Sequence, residues 1–89
     1  MEMQDIRAKL LALLTEIAPD VDPASVDIAR NFRDQFDFDS MDTLHFATAI
    51  SEAFGIEIAE SEYQRLLSLH SAETFVQERL ALAAQVKPA

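Results

Sequence analysis

A chain with one glycine in 89 residues has few ways to turn tightly, and this restricts its fold more than any other feature. Hairpins and small barrels place glycine or asparagine at left-handed turn positions. Here Gly55, Asn31 and three prolines supply most of the available punctuation. The hydrophobic fraction is nevertheless 49%. So much apolar content with so few turn residues reads as helices joined by ordinary loops, not as a sheet of many strands. The length sets a prior for one domain with one core. The expected domain covers residues 1–84, and residues 85–89 are expected to fray.

The apolar pattern supports this reading. Ile6, Leu10, Leu13, Leu14 and Ile17 recur at helical spacing and predict a helix over 3–18, ending before Pro19. A long connection follows, over 19–39, with Val21, Val26, Ile28, Phe32, Phe36 and Phe38. A loop this apolar is expected to pack over the core, and loops this long are often functional. Asp22 and Pro23 suit the cap and first position of a short turn. A second helix is predicted from Ser40, burying Met41, Leu44, Ala47, Ile50 and Phe54 and closed by Gly55. A short helix over 60–67 would bury Tyr63, Leu66 and Leu67. Ser71 is expected to cap a last helix that buries Ala72, Phe75, Val76, Leu80 and Ala83. The fold class is therefore all-α: a four-helix bundle of three main helices and one short one. Its core is expected to hold Phe32, Phe36, Phe38, Leu44, Ile50, Phe54, Ile58, Tyr63 and Leu66.

Charge excludes some functions. The 16 acidic and 7 basic residues give a net charge of −9, the opposite of a nucleic-acid-binding surface. Such a surface attracts basic partners. Cysteine is absent, which removes disulfides, thiolate metal sites and cysteine nucleophiles. The amphipathic N-terminus lacks the apolar core of a signal peptide, and no apolar run approaches a membrane span. The expectation is a soluble, cytoplasmic monomer that binds neither nucleic acid nor membrane.

The segment from Asn31 to Asp42 carries the chemistry. Asp39 is a good N-cap, which places Ser40 on the first turn of the second helix. Backbone N–H groups there lack helical partners, and the helix dipole adds partial positive charge. A phosphate ester on Ser40 would sit in a favourable field. No activating base lies nearby in sequence, so Ser40 suits accepting a modification better than attacking a substrate. An Asp-Ser pair before an apolar run is also an ordinary helix start. Asp37, Asp39 and Asp42 could together attract a hard cation. The calcium-loop pattern fails, because Asp42 stands at the sixth place and Thr48 at the twelfth. No metal site is assigned. His45 is expected on the exposed face and His70 in the link before the last helix.

In context this segment resembles the acyl carrier protein family. Asp39-Ser40-Met41-Asp42 is similar to the family's Asp-Ser-Leu motif. Leu44 through Ile50 matches its apolar second helix, followed by Phe54-Gly55-Ile56-Glu57-Ile58. Ser71-Ala72-Glu73-Thr74-Phe75-Val76 matches the opening of its last helix. The resemblance implies that Ser40 receives 4′-phosphopantetheine from coenzyme A through a separate magnesium-dependent transferase. The arm's thiol would then hold acyl groups as thioesters, so the carrier itself is not an enzyme. Such a carrier could serve fatty-acid, specialised lipid or polyketide synthesis. An aminoacyl or peptidyl carrier, or an interaction module without the arm, are the alternatives. Asp39, Met41, Asp42, His45 and Glu52 are the residues expected to meet acyl-transfer and chain-elongation enzymes with basic docking surfaces. Two positions depart from the family pattern. Asp37 stands where glycine is usual, and Met41 where leucine is usual.

Overall fold

The protein is described by a computed structural model covering residues 2–85. Of the tail expected to fray, only the backbone of Gln85 falls within that range. Three long helices form the frame: α1 (Met3–Ile17), α3 (Ser40–Phe54) and α4 (Leu69–Gln85). A single turn, α2 (Phe32–Gln35), lies in the connection between α1 and α3, and a short 3₁₀ helix, Glu60–Leu66, links α3 to α4. Helix α1 packs on both α3 and α4, and the 3₁₀ helix bridges α3 and α4. The all-α expectation holds among the described residues, with α2 as an addition.

Local chemistry accounts for the boundaries. Asp22 Oδ1 accepts a hydrogen bond from Ala24 N–H at 3.0 Å, with Pro23 opening a 3₁₀ turn over Pro23–Ser25. Gly55 ends α3 at φ 66°, in the left-handed region where a side chain is strained. The start of α4 differs from the sequence reading. Ser68, not Ser71, lies at the cap: its Oγ accepts from Ser71 N–H at 3.2 Å. The helix therefore begins earlier, at Leu69, and Leu69 is buried. His70 consequently falls in the first turn of α4, where its N–H donates to Ile28 C=O at 2.8 Å. That bond ties the long connection to α4.

The core gathers Ile6, Leu10 and Leu14 of α1, Phe46, Ala47 and Ile50 of α3, and Leu69, Ala72, Phe75 and Val76 of α4. Phe32, Phe38, Ile56 and Leu66 join them from the connections. Phe36, Phe54, Ile58, Tyr63 and Leu80 are half-buried against this cluster. Three expected burials fail. Met41 is 55% exposed and Leu44 40%, while Ala83 is exposed. Two apolar stripes compete on α3, one through Met41 and Leu44 and one through Phe46, Ala47 and Ile50. The second wins because Phe46 packs its ring against Phe32 and Phe38 at centroid distances of 5.8 and 6.2 Å. Thr43 completes the inward face, its hydroxyl satisfied by donating to Asp39 C=O at 3.1 Å.

Among the described residues, Glu73 is the one acidic side chain in the core, at 1% exposure. Arg7 grips it with two guanidinium nitrogens, Nε on one carboxylate oxygen and Nη2 on the other. This hydrogen bonding, and then the attraction of the carboxylate, raises the Arg7 pKa above its ordinary value. Replacing Arg7 with alanine leaves a buried carboxylate unpaired. The expected loss is about 1–3 kcal/mol, measured by urea unfolding. Replacing both Arg7 and Glu73 with leucine should recover much of it.

Candidate functional site

The site begins with a reciprocal pair of hydrogen bonds. Asp39 is the N-cap of α3 in extended conformation (φ −93°, ψ −176°). Its Oδ1 accepts from Asp42 N–H at 2.9 Å, and Asp42 Oδ2 accepts from Asp39 N–H at 3.1 Å. This is a capping box with aspartate in both roles. Thr43 N–H closes the first helical turn onto Asp39 C=O at 3.0 Å. Ser40 is thereby fixed as the first helical residue. Its side chain is exposed, and its hydroxyl makes no hydrogen bond with another described residue.

The approach to Ser40 is set by aromatic packing. Phe32 lies at the centre of a ring cluster, 5.6 Å from Phe36 and 5.3 Å from Phe38. Its N–H also donates to Leu67 C=O at 2.6 Å. The connection is therefore held on the core just before the chain enters α3. An open groove of about 560 Å³ runs from Ser40 and Met41 past Leu44 to Tyr63 and Gln64, with Arg33 on its border. Ser40 is exposed on a rim of polar and apolar side chains, which leaves room for a flexible group on its oxygen. These residues fit an arm that is attached at one point and free beyond it.

The other expected contact residues divide into two groups. Met41, His45 and Glu52 are exposed on α3 and free to meet a partner. Asp39 and Asp42 are engaged in the capping box, so their carboxylates hold the helix start as well as carrying charge. Among the described residues, no three histidine or acidic groups are gathered closely enough to hold a metal ion. Of Asp37, Asp39 and Asp42, the last two each direct a carboxylate oxygen at a backbone N–H group. Sequence reasoning missed Leu44 as a surface residue and Arg33 as a wall of the groove. Arg33 could have been noticed as the one cation among the four aspartates of residues 31–42.

Fold and site together define a small helical domain that presents a free hydroxyl at the start of a capped helix. Among the described residues, no side chain that could act as a base is hydrogen-bonded to that hydroxyl. A family profile described as the phosphopantetheine attachment site matches residues 8–76. An acyl carrier protein of Guillardia theta is 32% identical over 91% of this chain and 99% of its own length. One from Rubrobacter xylanophilus is 31% identical over 81% of this chain and 93% of its own. A mitochondrial acyl carrier protein of Arabidopsis thaliana is 34% identical over 63% of this chain and 44% of its own. The chain belongs to the acyl carrier protein family. Its members carry rather than catalyse, and membership implies a covalent 4′-phosphopantetheine group. Among the described residues, no helix is long and apolar enough to cross a membrane.

The capping box separates structure from recognition at Asp39. Asp39→Ala removes the cap acceptor and should cost about 1 kcal/mol, a drop of roughly 4–8 °C in Tm. Asp39→Asn keeps an acceptor oxygen and should melt close to the parent protein. Circular dichroism melts of both variants check this.

Proposed function

We propose that the protein is a free-standing acyl carrier whose attachment residue is Ser40. The carrying observation is the exposed Ser40 hydroxyl, unbonded among the described residues at the first position of a capped helix and opening onto a groove. In the loading step the Ser40 oxygen bonds to the phosphorus of the phosphopantetheine half of coenzyme A. The bond from that phosphorus to the nucleotide phosphate breaks, and the nucleotide leaves. The serine proton passes to a base on the transferase, since among the described residues no base is hydrogen-bonded to Ser40. Once bound, the group supplies a thiol that holds an acyl chain as a thioester. The chain's own part is to expose Ser40, fix its backbone and present α3 to partners.

The proposed partners are a phosphopantetheinyl transferase and acyl-transfer and chain-elongation enzymes with basic docking surfaces. Exposed Met41 and Leu44 offer apolar contact beside Ser40, and Glu52 offers charge further along α3. The pathway proposed is fatty-acid, specialised lipid or polyketide synthesis. His45 and Thr48 on the outward face favour a dedicated pathway over a general one, since neither brings the acidic charge a general docking face uses. The cytoplasm is the proposed compartment and the monomer the proposed state. Cell fractionation tests the compartment, because one matched relative is named as mitochondrial.

The test is intact-mass measurement after incubation with coenzyme A, magnesium and a broad-specificity transferase. The expected result is gain of one phosphopantetheine by the parent protein and none by Ser40→Ala. No gain with several transferases would overturn the proposal and favour an interaction module built on the carrier fold. Loading by an aminoacyl-activating enzyme, with none by acyl-transfer enzymes, would favour the aminoacyl or peptidyl carrier.

A further inference from the structure

The acid-rich surroundings of Ser40 pose an electrostatic problem for the proposed arm. A phosphodiester there adds a negative charge beside Asp37, Asp39 and Asp42, in a chain already at −9. Asp39 and Asp42 are partly compensated by the backbone N–H groups they cap. Asp37 is exposed, is not ion-paired among the described residues and replaces a glycine usual in the family, so its charge is an addition. Like charges this close cost free energy even in water.

Two arginines face this region: Arg30 lines a depression with Asp37 and Asp42, with its guanidinium engaged on Asp34 C=O, and Arg33 lies on the Ser40 side. Arg33 borders both the groove that contains Ser40 and the adjoining depression formed by Asp37, Asp39 and Asp42. Its backbone is fixed. Asn31 Oδ1 accepts from Arg33 N–H at 2.8 Å, capping α2, and the neighbouring Phe32 is anchored in the aromatic cluster. With Phe32 turned inward, Arg33 is directed to the surface. The guanidiniums of the other four arginines are engaged. Arg7 pairs with Glu73, Arg65 with Glu78 and Arg79 with Glu62. Arg30 donates to Asp34 C=O at 2.9 Å. Among the described residues, the Arg33 guanidinium is the one arginine head with neither a hydrogen bond nor an ion pair, although Asp37, Asp39 and Asp42 line one depression with it and Glu60 the groove. It is a planar donor set without an acceptor, on the wall of the groove into which Ser40 opens, and guanidinium matches phosphate oxygens well.

We propose that Arg33 is a positioning residue for the phosphodiester on Ser40, donating to its unesterified oxygens and offsetting the charge of Asp37. The inference rests on Ser40 carrying the arm. Arg33 then sets how the first bonds of the arm leave the protein, while the distal thiol stays free.

The test uses apo and loaded forms of the parent protein, Arg33→Gln and Arg33→Lys, each verified by intact mass. Absence of loading at Ser40 in the parent would defeat the attachment reading, and this inference with it, before any further measurement. With loading established, phosphorus NMR of the phosphodiester and proton–nitrogen spectra of the Arg33 Nε–H report on the contact. The expected result is a shift of the Arg33 Nε–H on loading, diminished by added salt. The phosphorus resonance should be displaced in Arg33→Gln and partly restored in Arg33→Lys. Loading should also lower the melting midpoint of Arg33→Gln by about 2–4 °C relative to its effect on the parent, the size expected for an exposed ion pair. An unmoved Nε–H, with the same phosphorus resonance and the same loading effect in all three proteins, would overturn the proposal.

Discussion

The structure around Ser40 depends on the capping box between Asp39 and Asp42. An uncapped helix end leaves backbone donors to water and frays over its first turn. Here each aspartate accepts from the other's N–H, so two donors are satisfied at once and the first turn is closed. Ser40 lies inside that closed turn yet points outward. A modification site needs this combination: a backbone rigid enough to be recognised and a hydroxyl open enough to react. Asp39 and Asp42 therefore contribute through hydrogen bonding before they contribute through charge.

The capping box would be of little use on a mobile segment. The connection leading into α3 is kept in place by the stacked and tilted rings of Phe32, Phe36, Phe38 and Phe46, and by the Phe32 bond to Leu67. Phe46 belongs to α3, so the same cluster sets the rotation of that helix. Turning Phe46 inward turns Met41 and Leu44 outward, beside Ser40. A core decision thus produces the apolar surface next to the Ser40 oxygen. With Arg33 also held at the surface by its inward neighbour Phe32, the groove beside Ser40 is a consequence of how the loop packs.

Much of this was legible in the sequence. The scarcity of glycine specified helices, Asp39 and Gly55 marked both ends of α3, and Asp22-Pro23 marked its small turn. Each of these signals is local, carried by one or two residues with a fixed backbone preference. The errors concern choices that local pattern leaves open. Two apolar stripes on α3 were nearly equivalent until the partner rings were known, so Leu44 was placed in the core and Phe46 was overlooked. Both Ser68 and Ser71 can cap a helix, and burial of Leu69 favoured the earlier one. The single turn α2 is too short for periodicity to detect. At the site, Asp39 as the cap and Ser40 as the first helical residue were legible from local sequence, whereas the free guanidinium of Arg33 became visible only once the other arginines had been assigned partners.

The proposed attachment concerns one particular oxygen, that of Ser40. The protein has other exposed and half-buried serines, including Ser25, Ser61 and Ser71, so the claim concerns position and not residue type. Proteolytic peptide mapping by tandem mass spectrometry, applied to protein purified from its natural source, tests it most directly. Phosphopantetheine is expected on the peptide containing Ser40, with fragment ions that place it on that residue. Attachment at any other serine, or unmodified protein throughout, would contradict it.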